Sequence, residues 1–267
     1  MSLDPQNPYQ PTGDGGPPPY RRGVMEYGRM VSYVFENPKW FVNLLLMGVC
    51  QLIPIVGPLV VMGYQFEIVE ALHRDPRRRY PDFDFGRFGD YLLRGVWPFL
   101  VALVAAVVMV PIVIGLMFAV LCGFGMAVSG GGNQNLGPSL GILIPLAIVA
   151  YVAFILGLQL VMIPLVLRAG LAQDFGAAFD FSFFKRFLAT TWKECVVGML
   201  FMFVVGLGAA FVGILLCFVG IYLTMGVVML AQAHFYSQVY ELYLDRGGEP
   251  IPLKPPKVPL PMPQPRY

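Results

Sequence analysis

The sequence has few charged residues for its length. Asp, Glu, Lys and Arg make up 13% of its 267 residues, whereas hydrophobic residues make up 57%. Soluble domains carry about 25% charged residues, so this chain cannot cover a water-exposed surface. The mean hydropathy of +0.67 indicates that a lipid bilayer is its solvent. The net charge of +2 is also too small to indicate a nucleic-acid partner.

Sequence signatures of catalysis and of metal or cofactor binding are also lacking. The four cysteines form no C-x-x-C pair and lie in or beside apolar runs, where a thiol acts as a small hydrophobic residue. The chain contains no G-x-x-x-x-G-K-[ST], G-x-S-x-G or H-E-x-x-H motif. The central parts of the apolar runs hold no ionisable residue, which argues against ion-coupled transport. We therefore expect no enzyme, no cofactor and no metal.

Proline and glycine are abundant at both ends of the chain. Residues 1–23 and 246–267 are rich in proline, which favours an extended polyproline conformation over a packed core. We expect two disordered tails around a membrane domain at 24–245. Pro17-Pro18-Pro19-Tyr20 and the P-x-x-P spacings after Pro252 suit a protein partner. Residues 1–23 lack an apolar run, so no cleavable signal peptide is expected.

Three long apolar stretches follow Trp40, Trp97 and Trp192. The second and third are interrupted by uncharged turns at 129–139 and 217–220, which predicts two helical hairpins. The first, 40–72, is broken by prolines at 54–58. As one helix it would be about 50 Å long against a hydrocarbon core of about 30 Å, so a hairpin fits better than one kinked span. The predicted fold is an all-α integral membrane protein with about six membrane helical segments in three hairpins.

A short amphipathic segment precedes each apolar stretch, at 24–36, 83–94 and 175–191, and each is predicted to be an interfacial helix. In the first, Tyr27, Met30, Val31, Val34 and Phe35 share one face. Basic residues concentrate before the second and third stretches, and the turns at 129–139 and 217–220 contain none. The positive-inside rule then places the amphipathic helices and both tails in the cytoplasm, with the three tryptophans at one interface of the cell inner membrane.

Short sequence patterns recur between the predicted hairpins. Phe83-Asp84-Phe85 is repeated as Phe179-Asp180-Phe181, and Gly57 and Gly63 have the same separation as Gly220 and Gly226. These similarities suggest internal duplication. Gly206 and Ala210 have the small-x-x-x-small spacing that favours close helix packing, as do Ala209 and Gly213.

Several motifs in the first third resemble a known family. They are Tyr33-Val-Phe-Glu-Asn-Pro-Lys-Trp40, Leu52-Ile-Pro-Ile-Val-Gly-Pro58, Gly63-Tyr64, Tyr80-Pro-Asp-Phe-Asp-Phe-Gly-Arg-Phe-Gly-Asp90 and Gly95. Together they resemble the prokaryotic membrane-protein family called domain of unknown function 4013, over about residues 24–240. Tyr80 stands where that family usually has Leu. The resemblance implies a polytopic helical membrane protein and carries over no catalytic residue.

Two groups of polar residues are candidate sites. Glu67, Glu70, His73 and His234 form a candidate interfacial polar cluster. Glu70-x-x-His73 has the spacing of a metal half-site, but no second such motif exists, so ion pairing such as Glu70 with Arg74 is favoured. The second group is Arg74, Arg77, Arg78 and Arg79, a topology signal and a candidate contact for anionic lipid headgroups.

Two functions fit this sequence. The favoured one is a non-enzymatic structural or interaction component of a membrane complex, which contacts lipids and a protein partner, the latter through the proline-rich tails. The alternative is a transporter or channel for an apolar or lipid-like substrate, because proline-broken helices at Pro54/Pro58, Pro111 and Pro164 are typical of transporters.

Overall fold

The computed structural model describes residues 23–75, 79–129, 136–216 and 219–254. All regular structure in these ranges is helical. The α-helices are α1 (Tyr27–Ser32), α2 (Trp40–Gln51), α3 (Val56–Arg74), α4 (Phe88–Ser129), α5 (Leu136–Ala172), α6 (Phe181–Leu215) and α7 (Val219–Asp245). Short 3₁₀ segments cover Tyr33–Phe35, Phe85–Arg87 and Gly176–Phe179.

The first apolar stretch forms two helices and not one kinked helix. The chain reverses between α2 and α3, since a Cβ on Gly57 would lie only 1.9 Å from the carbonyl oxygen of Cys50. Pro54, which has no N–H, lies in the turn, and Pro58 lies in the first turn of α3, where proline is tolerated. The predicted first hairpin is therefore present, and only glycine fits at its closest approach.

Among the described residues, three helices are long and apolar enough to cross a membrane, within Phe85–Cys122, Pro145–Ala172 and Phe181–Leu215. They belong to α4, α5 and α6. The expected breaks at Pro111 and Pro164 are wrong, because α4 and α5 continue through these residues as helices. A proline removes one helical hydrogen bond, which long membrane helices tolerate.

The second and third amphipathic segments are not separate interfacial helices, contrary to the prediction. The 3₁₀ segment Phe85–Arg87 leads directly into α4, and Gly176–Phe179 is followed, after Asp180, by α6. Pro98, next to Trp97, lies inside α4 without ending it, and no proline lies between Thr191 and Cys195. The amphipathic residues therefore form the first turns of the long helices.

The first amphipathic segment does form a separate element, which packs against α7. Met30, Tyr33 and Val34 are buried, whereas Phe35, predicted to share one face with Met30 and Val34, is exposed. The 3₁₀ turn Tyr33–Phe35 changes the angular step between residues and so replaces Phe35 with Tyr33 on that face.

An Asx side chain stands at the start of each hairpin. The Asn37 Oδ1 atom accepts a hydrogen bond from the Lys39 amide just before α2, and Asp84 accepts one from the Gly86 amide before α4. Asp180 accepts from the amides of Ser182 and Phe183 at the start of α6. The repeated Phe-Asp-Phe pattern thus marks two local caps with the same chemistry.

Helices α6 and α7 pack antiparallel along their length. A Cβ on Gly213 would lie 2.8 Å from the Thr224 hydroxyl near the turn, and one on Gly198 would lie 2.2 Å from the Phe235 ring. Of the predicted small-residue contacts, the one at Gly213 is therefore made within the chain. The Gly206 position has no atom within 4 Å.

The tryptophans do not share one height along α7. Leu44 of α2 contacts α7 at Gly226, which places Trp40 about one turn further along, near residue 230. Phe187 of α6 packs against Tyr243, and α6 runs antiparallel to α7, so Trp192 lies near residue 238 of α7. Trp40 and Trp192 are therefore about 12 Å apart along the α7 axis.

Residues 246–254, the C-terminal strap, return from α7 and pack across the other helices. Ile251 is buried, and its amide donates a hydrogen bond to the Tyr240 hydroxyl at 2.8 Å. The Lys254 Nζ atom donates to the Gln173 carbonyl oxygen at 2.9 Å and lies 5.8 Å from the centre of the Trp97 ring. The packed chain thus extends past the predicted boundary of the disordered tail. Residues 1–22 and 255–267, where the rest of the predicted tails fall, lie outside the described residues.

Candidate functional site: polar contacts at the helix base

The helix base is the end of α2, α3 and α4 that lies away from the 52–55 turn, and the main polar contacts occur there. The Asn37 Nδ2 atom donates to the Tyr80 carbonyl oxygen and to Asp82 Oδ1, both at 3.0 Å. Lys39 donates to Asp82 Oδ2 at 2.8 Å. The hydrogen bonds from Lys39 and Asn37 hold the pKa of Asp82 below its usual value. These contacts bind the segment before α4 to the start of α2.

Buried side chains extend this connection into the core. The amide of Phe83 donates to Asn43 Oδ1 at 3.0 Å. The Tyr64 hydroxyl donates to the Pro81 carbonyl oxygen at 2.6 Å, and the Tyr80 hydroxyl donates to the Val34 carbonyl oxygen at 2.7 Å. Hydrogen bonds thus connect motifs that are far apart in the sequence, and the polar groups of these motifs stabilise the fold.

Helices α3 and α4 touch through their backbones at two glycines. A Cβ on Gly63 would lie 1.8 Å from the Tyr91 carbonyl oxygen, and one on Gly95 would lie 1.8 Å from the Leu59 carbonyl oxygen. Because the obstructing atoms are backbone atoms, no rotamer change can make room for a larger residue. This accounts for Gly63 and Gly95 among the motif residues.

Two arginines of the second hairpin pair with the two glutamates of α3. Arg87 donates from both terminal nitrogens to the Glu67 carboxylate, at 2.5 and 2.7 Å. Glu70 accepts from Arg94, and both side chains are about nine-tenths buried. It also accepts from Arg74 at 2.7 Å, which is the i,i+4 pair expected from the sequence. The negative charges of both glutamates are therefore balanced by arginines that lie across the α3–α4 contact.

The two histidines lie at different sites. His73 Nδ1 lies 2.5 Å from Glu241, and its ring packs against Tyr240. His234 Nδ1 lies 2.7 Å from the Gln238 amide nitrogen, and its ring is 4.4 Å from that of Tyr33. Within the described ranges, no group of three or more His, Cys, Asp or Glu side chains could hold a metal ion. The structure therefore divides the predicted four-residue cluster among separate contacts.

Sequence reasoning missed the partners Arg87, Arg94 and Glu241. Arg87 and Arg94 are seven residues apart and share a helix face, but Glu67 and Glu70 are only three residues apart, so spacing alone does not pair the arginines with the glutamates. Glu241 follows His73 by 168 residues, and no local pattern connects them.

The candidate lipid-headgroup contacts lie partly within the described chain. Arg74 is bound to Glu70, and Arg79 is exposed. Arg77 and Arg78 lie outside the described residues.

The lowered pKa of Asp82 predicts a pH-dependent contribution to stability. A carboxyl whose folded pKa is depressed stabilises the fold above its unfolded pKa of about 3.9, and this contribution is lost as the pH falls through the folded value. We expect Asp82→Asn to lower stability by less than about 1 kcal/mol near neutral pH, because the pair is exposed. The difference from wild type should shrink below about pH 4. Thermal unfolding of both proteins from pH 3 to 7 measures it, and a pH-independent difference would contradict this role of Asp82.

In the part of the chain that the structure describes, the long apolar helices and the paired charges at their ends are consistent with a helical membrane protein. The family model described as "Protein of unknown function (DUF4013)" matches residues 46–218. The chain belongs to this family, which confirms the resemblance over a narrower range that leaves out the Tyr33–Trp40 motif. No curated protein and no solved structure matches the chain.

Proposed function

We propose that this protein is a non-enzymatic structural or interaction component of a membrane complex. The proposal rests on one observation, which is that the chain itself buries little of the surface of its three long apolar helices. In the most apolar windows of α4, α5 and α6, only 6%, 6% and 11% of the residues are buried. Most of this surface therefore faces lipid or the helices of a partner.

The exposed faces of these helices are apolar. Val107 on α4, Val149 on α5 and Phe211 on α6 are each at least 60% exposed. Such surfaces exceed what a soluble monomer leaves uncovered and are typical of membrane or protein contacts. The polar side chains at the helix base bind one another instead, which supports a structural role for the motif residues.

The proposed arrangement is three hairpins inserted from one face, with the helix base and both tails in the cytoplasm and the cell inner membrane as the location. The basic residues at the base support this orientation by the positive-inside rule. The described part of the strap ends at Lys254, beside the end of α5 at the base.

The tails are the proposed contacts for a protein partner, and truncation tests this. We expect the complex purified in mild detergent to be larger than a monomer and to shrink when residues 1–22 or 255–267 are removed. Truncation after Lys254 keeps the packed strap and so separates loss of a contact from loss of stability. A particle that is monomeric with or without the tails would overturn the proposal.

The alternative is a transporter or channel for an apolar or lipid-like substrate. Of the proline breaks that favoured this alternative, the one at Pro54 is present, but α4 and α5 are continuous through Pro111 and Pro164. Lipid density in an opening between the hairpins would favour this alternative.

A further inference from the structure

The hairpin formed by α2 and α3 is too short to cross a bilayer. Helix α2 has 12 residues, which corresponds to about 18 Å, and on α3 only about 17 Å separates Val56 from Glu67. The hydrocarbon core is about 30 Å thick. Neither helix is among the three that are long and apolar enough to span it.

The two ends of this hairpin require different surroundings. At the base, the Lys39 side chain is 66% exposed and bonds to a half-exposed Asp82, so these charges need water or lipid headgroups. At the tip, Leu52, Ile53 and Ile55 are all exposed, and the turn between the helices holds no charged residue. The tip is thus chemically suited to acyl chains.

Most backbone amides of the turn are bonded internally, as the interior of a membrane requires. The amides of Leu52 and Ile53 donate to the carbonyl oxygens of Val49 and Cys50. The Gly57 amide donates to the Ile53 carbonyl oxygen at 2.9 Å, and Pro54 has no N–H to satisfy. Few donors therefore remain exposed at the tip.

We propose that α2 and α3 form a re-entrant hairpin, which enters the hydrocarbon core from the helix base and returns to the same face. Its tip ends among acyl chains. This inference rests on the proposed insertion of the hairpins from one face. Gly48 packs against Tyr222, which sets the tip level with the start of α7, so the inference also requires the end of α6 to lie at a similar depth in the membrane.

Cysteine labelling and spin-label depth test the proposal in the full-length chain, with the four native cysteines replaced and the protein reconstituted in phosphatidylcholine vesicles. Single cysteines are placed at Ile53 in the tip, Phe85 at the base and Asn133 between α4 and α5. Leu52→Cys replaces Ile53→Cys if that variant does not fold.

We expect an impermeant maleimide to label position 85 from one side, position 133 from the other and position 53 from neither. A nitroxide at position 53 should collide with oxygen several-fold more readily, relative to a water-soluble nickel chelate, than one at position 85. Labelling of position 53 from the side of position 133 would show a complete crossing and overturn the proposal. Labelling from the side of position 85 would show that the tip is not inserted and would also overturn it. Opposite labelling of positions 85 and 133 reports separately on insertion of the later helices.

Discussion

Replacing Glu70 with alanine is expected to destabilise the protein by about 3–5 kcal/mol, because it leaves Arg94 buried without its carboxylate. The Arg94 Nε atom already lacks a hydrogen-bond partner, so the guanidinium depends on Glu70. Denaturation in detergent micelles, followed by circular dichroism, measures the loss.

Two variants isolate the buried pair from the rest of the ion-pair network. Arg74→Ala removes the more exposed partner of Glu70 and should cost less than about 0.5 kcal/mol. The double variant Glu70→Leu with Arg94→Met should recover most of the stability, since apolar residues of similar size often replace a buried pair without loss. Equal losses for Glu70→Ala and Arg74→Ala would contradict the assignment.

Gly63→Ala is expected to have the second large effect, because its Cβ would overlap the Tyr91 carbonyl oxygen of α4. Separating two packed helix backbones costs about 1–3 kcal/mol or more, since no side chain can move aside. The variant should unfold at lower denaturant concentration, and Gly95→Ala should behave in the same way.

Gly206→Ala is the matched control, because it also replaces a glycine within a long helix. No atom lies within 4 Å of its Cβ position, so the better helix propensity of alanine should leave stability unchanged or raise it by up to about 1 kcal/mol. If Gly63→Ala and Gly206→Ala changed stability by the same amount, the close α3–α4 contact would be refuted.

Strong local signals made parts of the fold predictable. Pro54 and Gly57 mark the turn of the first hairpin. Of the turn predicted at 129–139, residues 136–139 belong to α5 instead, and residues 130–135 lie outside the described residues. The continuity of α4 and α6 into their amphipathic ends was missed, because amphipathicity alone does not end a helix. The breaks expected at Pro111 and Pro164 did not occur in α4 and α5, because a single lost hydrogen bond does not break a long helix.

The candidate site was predictable only where contacts are local. The Glu70–Arg74 pair follows from i,i+4 spacing. The bonds of Asn37 to Asp82 and of His73 to Glu241 join residues far apart in sequence, so they depend on how whole helices pack. The sequence patterns identified the polar residues but not their partners.

Purification of the tagged native protein in mild detergent, followed by mass spectrometry of what accompanies it, tests the proposed role most directly. We expect a reproducible protein partner that is lost when residues 1–22 or 255–267 are removed. A single enriched lipid or small molecule without any protein partner would contradict it and favour transport or lipid handling.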